Sequence, residues 1–237
     1  MDELREKCPW DSKQTFETLR HLTIEETYEL SEAIINKDLS EIKKELGDLI
    51  LHIVFYAKIG SEKNAFDITS VINSLCEKLI TRHPHIYGNT VVKNENEVKQ
   101  NWEQIKLKEG NKSVLGGVPA SLPSLVKASR MQDKAAQVGF DWENKEQVWQ
   151  KVEEELNEFK EADENYKEEE FGDLLFSLVN YARWLKINPD DALEKTNSKF
   201  KRRFEAIEAK ARQKGISLNQ MTLDEMEEIW QKAKTLT

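Results

Sequence analysis

The chain contains a copy of itself. Glu45-Leu-Gly-Asp-Leu-Ile-Leu-His-Ile-Val-Phe-Tyr-Ala-Lys58 matches Glu170-Phe-Gly-Asp-Leu-Leu-Phe-Ser-Leu-Val-Asn-Tyr-Ala-Arg183 without a gap, and seven of the fourteen positions are identical. The likeness extends outward: Glu25-Glu26-x-x-Glu29 pairs with Glu154-Glu155-x-x-Glu158, Lys78-x-x-x-Arg82 with Lys199-x-x-x-Arg203, and Trp102-x-x-x-Lys106 with Trp230-x-x-x-Lys234. A period of about 125 residues is too long for a solenoid unit and points to a duplicated domain. The run Glu109-Gly-Asn-Lys-Ser-Val-Leu-Gly-Gly-Val-Pro-Ala-Ser-Leu-Pro123 gathers glycine and proline between two helical patterns, so a linker is expected near 109–121, with domains at 1–110 and 121–237.

Each copy reads as a helical bundle, giving an all-α fold of two tandem homologous domains. Only 9 Gly and 5 Pro occur in 237 residues and a third of the chain is charged, which suits long surface helices and disfavours a sandwich or barrel. Helix starts are predicted at Thr23 with Glu26, Asp38 with Glu41, Asp67, Ser121, Asn144 with Gln147, Asn188 before Pro189, and Thr222 with Glu225. Gly139 and Gly215 are expected stops. Gly47 and Gly172, inside helices, are expected to be close-packing positions.

Forty-four acids against 35 bases leave a net charge of −9, which opposes binding to DNA, RNA or an anionic membrane. Cys8 and Cys76 are too few for a disulfide framework or a thiolate zinc site, as expected of a cytoplasmic protein. Leu49–Ala57, the longest apolar stretch, is too short to span a membrane.

The second helix of each half is the informative one. At 100° per residue Glu41, Glu45, Asp48 and His52 form one polar strip in an otherwise apolar run, and in the repeat Glu170 and Asp173 keep the same spacing. A carboxylate set among leucines is costly unless it meets a cation. The preceding helix offers Glu26 and Glu29, or Glu155 and Glu158, one turn apart and able to face the same partner. A single E-x-x-E usually just solvates a helix face. Four acids recurring in both halves point instead to an oxygen-only site for Mg²⁺, with Mn²⁺ as the other hard octahedral ion. Lys127, Arg130 and Lys134 form one basic stripe, and Lys199, Arg202 and Arg203 another, each a candidate for phosphate contact. Trp230 with Lys234 could cover a base or phosphate, or Trp230 could be core beside Met226 and Ile229. His83 and His85 offer a metal role or a surface helix end. No E-x-x-H, Walker A, dinucleotide-fold or nucleophile-elbow motif occurs.

The repeated Glu-Glu-x-x-Glu and Glu-x-x-Asp pairs, with Cys8-Pro-Trp-Asp, Arg82-His-Pro-His, Trp102-Glu-Gln-Ile-Lys and Val138-Gly-Phe-Asp-Trp, closely resemble the bacterial MazG family over essentially the whole chain. The resemblance implies a Mg²⁺-dependent nucleoside triphosphate pyrophosphohydrolase that cleaves between the α and β phosphates, releasing monophosphate and pyrophosphate to cleanse the nucleotide pool. It implies a homodimer or higher oligomer, with sites built partly from a neighbouring subunit. It makes Glu155, Glu158, Glu170 and Asp173 the metal ligands of the second domain and Glu26, Glu29, Glu45 and Asp48 their counterparts. Lys199, Arg202, Arg203, Trp230 and Lys234 become nucleotide contacts, and Glu154 a candidate to orient or deprotonate the attacking water. The first half nearly lacks a basic leading helix, so the second is expected to be the main catalytic domain. Two other readings stand beside this one: a narrow dUTP or dCTP pyrophosphatase, and a non-enzymatic acidic helical interaction protein.

Overall fold

In the computed structural model, residues 1–108 and 113–235 are described, the side chains of 96, 99, 100, 103 and 106–108 excepted. Residues 109–112 of the expected linker and the Lys106 side chain therefore lie outside the described residues. The order of helices is α1 Asp2–Lys7, α2 Phe16–Ile35, α3 Leu39–Glu62, α4 Ile68–Arg82, α5 Pro84–Tyr87, α6 Glu95–Lys108, α7 Ser124–Gln137, α8 Lys145–Glu161, α9 Lys167–Trp184, α10 Pro189–Lys214 and α11 Leu223–Thr235. Short 3-10 turns lie at Asp11–Lys13 and Leu218–Gln220, and no strand occurs among the described residues. The chain divides into two units, Met1–Glu109 and Gly110–Thr237.

In the first unit α2 and α3 are joined by three residues, which makes them antiparallel neighbours. Leu19 from α2 meets Phe55 and Ile59 from α3 in the core, with Phe16, Leu22 and Tyr56 packed around them. In the second unit α8 and α9 form the corresponding pair, with α7 against α9 and α10 against both. Val148, Val152, Leu174 and Val179 are buried. A further cluster of Ile207, Ala211 and Met221 fastens α10 to α11, with Met226, Ile229 and Trp230 against it. Much apolar surface stays exposed, including Leu46, Ile50 and Ile53 on α3, Ile72 and Leu75 on α4, and Phe171, Leu175 and Leu178 on α9.

Local capping explains most boundaries. Asp38 accepts from the backbone N–H of Ser40 and Glu41, Asp67 from Ser70, Asn144 from Gln147, Asn188 from Asp190 and Asp191, and Thr222 from Glu225. Gly215 stops α10 in the left-handed conformation, φ +66°, where a Cβ is disfavoured.

Three expectations are corrected. Thr23 does not open a helix: the box is Thr15 with Thr18, eight residues earlier, and with no breaker between them α2 runs straight through Thr23. The Thr23 hydroxyl bonds back to the Leu19 carbonyl at 3.0 Å. The leading helix of the second unit starts at Ser124 rather than after Ser121, because Pro123 holds the extended backbone that precedes the first turn. Gly47 and Gly172 are not close-packed: a Cβ built at either would meet nothing within 4 Å.

Candidate active site

Each helix pair carries acids on its facing turns. In the first unit, carboxylate oxygens of Glu26, Glu29 and Glu45 lie within 4.8 Å of one another, and in the second unit those of Glu155, Glu170 and Asp173 do so. Opposite oxygens around an octahedral Mg²⁺ are about 4.2 Å apart, twice the metal–oxygen distance. The acids of each cluster are thus near enough to face a common ion. The two triads are not the same subset. The first leaves out Asp48, whose counterpart Asp173 is in the second triad, and the second leaves out Glu158, whose counterpart Glu29 is in the first.

Burial makes these acids unusual. Glu45 is 2% exposed and Glu155 7%, whereas Glu29 and Asp173 are exposed and Glu26, Asp48 and Glu170 intermediate. The carboxyl of Glu26 is pushed up, first by burial and then by the negative charges of Asp48, Glu29 and Glu45. Asp48 thus lies within the electrostatic reach of the first cluster. Glu158 is pushed up by burial, then by Glu155, with smaller contributions from Glu154 and Glu170, and Lys151 opposes the shift. A lysine partly offsets the charge in each unit. Lys44 Nζ is 2.7 Å from Glu45 Oε1, and Lys151 Nζ is 2.7 Å from both Glu154 and Glu155. The carboxylates hold both ammonium groups above their ordinary range, Glu45 chiefly for Lys44, and Glu154 then Glu155 for Lys151. The second oxygen of Glu45 is buried with no partner. An orphaned carboxylate oxygen in an all-oxygen donor set fits a hard cation.

One turn beyond the acids the units differ. His52, 7% exposed, places Nδ1 2.9 Å from the Thr23 hydroxyl, which is itself 2.6 Å from the Tyr56 hydroxyl. Burial lowers the His52 pKa, and the charge of Asp48 opposes it. Ser177 takes the matching place in the second unit, buried, its hydroxyl donating to the Leu174 carbonyl.

The second unit also has α7 beside its acids, and with it a cavity of about 590 Å³. Met131, Phe140, Trp142 and Phe176 give it apolar walls, Gln132 and Asn180 line it, and it reaches Lys151, Glu155 and Asp173. Arg183 pairs with Asp141 at its edge. Burial would raise the Asp141 carboxyl, but its bonds from Arg183 and the Trp142 N–H outweigh this and hold it low. The sequence reading missed Gln132, Asn180, Lys44 and Lys151; the only available signal was their helical register with the acids.

The proposed phosphate contacts are more scattered. On α7, Lys127 is intermediate, Arg130 exposed and Lys134 buried. Lys199 and Arg202 are exposed on α10, and Lys234 is exposed on α11. Arg203 sits over the Trp230 ring at 5.5 Å, with its Nε buried and unpartnered, and Phe200 meets the same ring at 5.1 Å. None of Lys199, Arg202, Arg203, Trp230 and Lys234 lines the cavity. Trp230 packs on the α10–α11 core cluster. In the first unit His83 faces Trp102 at 5.7 Å and His85 at 5.6 Å.

The family model for the MazG nucleotide pyrophosphohydrolase domain matches the chain twice, at 14–87 and 143–207, and so covers both helix pairs with their acids. The chain belongs to the MazG family. It is 46% identical to the nucleoside triphosphate pyrophosphohydrolase/pyrophosphatase MazG of Thermotoga maritima, over 99% of this chain and 92% of that protein. It is 40% identical to the nucleoside triphosphate pyrophosphohydrolase of Escherichia coli K12, over 96% and 90%. An uncharacterized Bacillus subtilis protein, YabN, is 46% identical over 96% of this chain and 48% of its own length. Two MazG domains in tandem account for the internal copy. No helix among the described residues is long and apolar enough to cross a membrane.

Proposed function

We propose that this MazG protein hydrolyses nucleoside and deoxynucleoside triphosphates to monophosphate and pyrophosphate, with Mg²⁺ held by Glu155, Glu170 and Asp173 in the second domain. The observation that carries this is an acidic triad, with Glu155 buried, two of whose members, Glu155 and Asp173, line a cavity large enough for a nucleoside. A triphosphate bears close to four negative charges, and an acidic chain repels it unless a dication lies between them. When bound, Mg²⁺ supplies Lewis-acid polarisation of phosphoryl oxygens and charge neutralisation.

The chain's own groups do the rest. Glu155 and Glu170 approach from α8 and α9, so one helix pair fixes the donor spacing before substrate arrives. Glu158, a turn away on α8, is a further residue that would hold the ion. Lys151, at the edge of triad and cavity, offers its ammonium to a phosphate oxygen, and exposed Glu154, its ion-pair partner, accepts a proton from water. Apolar walls exclude bulk water and favour a flat base. Glu26, Glu29, Glu45 and Asp48 form a second cation site in the first domain. The exposed apolar faces of α3, α4 and α9 support a homodimer or higher oligomer, which brings Lys199, Arg202, Arg203, Trp230 and Lys234 to a neighbouring site. A broad cleansing of the nucleotide pool in the cytoplasm follows as the role.

Purified protein given mixed nucleoside triphosphates and Mg²⁺ is expected to release pyrophosphate and monophosphate. Release of inorganic phosphate instead, or no turnover with any nucleotide, defeats this function.

A further inference from the structure

The most informative unexplained group in the molecule is Gln132. It lies in the middle of α7, 7% exposed, at a place where methionine or leucine would pack without polar cost. Its Nε2 donates to the backbone carbonyl of Phe176 at 2.8 Å. A carbonyl only accepts, so the amide nitrogen must face Phe176 and the amide oxygen must face away from it. That oxygen is buried with no partner. Phe176 does not need the bond, because a carbonyl inside a helix already receives the N–H four residues on, here that of Asn180. Gln132 therefore neither rescues a backbone group nor satisfies itself, and a buried acceptor left unmatched weakens the fold.

The surroundings say what would match it. Gln132 lines the cavity that ends at Glu155 and Asp173, between walls that include Met131, Trp142 and Phe176. A nucleotide whose phosphates lie at the acids has its base among these side chains, stacked on aromatic and thioether surface that accepts any base. Gln132 adds to this wall an amide oxygen that nothing in the fold matches, beside the Asn180 amide.

We propose that Gln132 is a base-reading residue whose side-chain oxygen accepts a hydrogen bond from an N–H on the Watson–Crick edge of the nucleobase. This rests on the hydrolase reading above, which puts the triphosphate at the second-domain acids. Adenine and cytosine supply an amino group, and guanine and uracil a ring N–H, so one acceptor serves a mixed nucleotide pool and rejects bases that offer no donor. Sites built around a buried hydrogen-bonding group discriminate strongly against ligands that leave it unpaired.

The test compares ATP with purine riboside 5′-triphosphate, which has the same ring system without the amino group and carries no N–H on the base. Wild-type kcat/KM is expected to be at least about tenfold higher for ATP, and in Gln132→Met the ratio should fall to about one. A wild-type ratio near one, or a ratio that survives in Gln132→Met, overturns the proposal. If Gln132→Met does not fold by circular dichroism, the wild-type ratio and Gln132→Leu decide in the same way. If wild type hydrolyses neither nucleotide, the hydrolase reading fails by itself, and calorimetric affinities of the two nucleotides with Mg²⁺, held to the same ratio, decide the role of Gln132.

Discussion

The two domains hold the same acids on the same helical turns and surround them differently. In the first, the cation beside the buried acid comes from α3 itself, where Lys44 neighbours Glu45. In the second, it comes from α8, where Lys151 spans Glu154 and Glu155. A turn further on, the first domain buries His52 in a bond to Thr23 and the second buries Ser177. The first domain is preceded by a six-residue α1, whereas the second is preceded by the fourteen-residue α7 that brings Gln132 and the cavity. Duplication kept the donor set, which geometry dictates, and let the binding wall, the cations and the polar core drift apart. The acids by themselves give each domain a candidate cation site, and the helix beside them sets what else surrounds it.

The sharpest way to break this comparison is to remove one acid from each domain. Asp173→Ala is expected to lower kcat by about a hundredfold or more, as loss of a preorganised electrostatic group does, while Asp48→Ala lowers it far less. Equal losses in steady-state pyrophosphate release would make the domains equivalent, and near-normal turnover in Asp173→Ala would remove the second-domain site altogether.

A smaller effect sharpens the claim that both clusters take cations. Because the Glu26 pKa is raised in the fold, its contribution is fully present below the unfolded value of about 4.3 and is lost as pH rises through the folded value. Mg²⁺ reverses that loss by favouring the ionised form. The rise in Tm on adding Mg²⁺ should be greater at pH 7.5 than at pH 4.5 and should shrink in Glu26→Gln. A rise that is independent of pH in calorimetry counts against a cation at the first cluster.

The smallest expected effect isolates the histidine. Burial lowers the His52 pKa, so stability is present above the unfolded value of about 6.5 and is lost as pH falls from there toward the folded value. Hydrogen exchange in α2 and α3, corrected for its intrinsic pH dependence, should show less protection at pH 5.5 than at pH 7.5, and His52→Ser should flatten the change. The α8–α9 pair, with Ser177 at that place, should not show this component.

Much of the fold was legible because capping is local. Asp38, Asp67, Asn144, Asn188 and Thr222 each lie within three residues of the N–H they bind, so their sequence pattern is their structure. Thr23 shows where that fails: Thr-x-x-Glu also occurs inside a helix, and there Thr23 serves a tertiary contact with Tyr56 and His52. The acids were legible because the repeat marked them twice. Asp48 and Glu158 fall outside the triads because spacing fixes a helix face, whereas the rotamer and the crossing of the partner helix fix which oxygens meet. Gln132 was invisible for the same reason. Its meaning depends on Phe176, 44 residues away, and nothing in the sequence of α7 shows which carbonyl it will face.

The lysines at the two triads bear on how the metal arrives. Lys44 and Lys151 act as built-in counter-ions, so the chain can complete its helix pairs without waiting for a dication, unlike small domains whose folding is itself the act of chelation. A dication taken up there would displace an ammonium group of half its charge, and at the second triad that would free Lys151 for a phosphate oxygen.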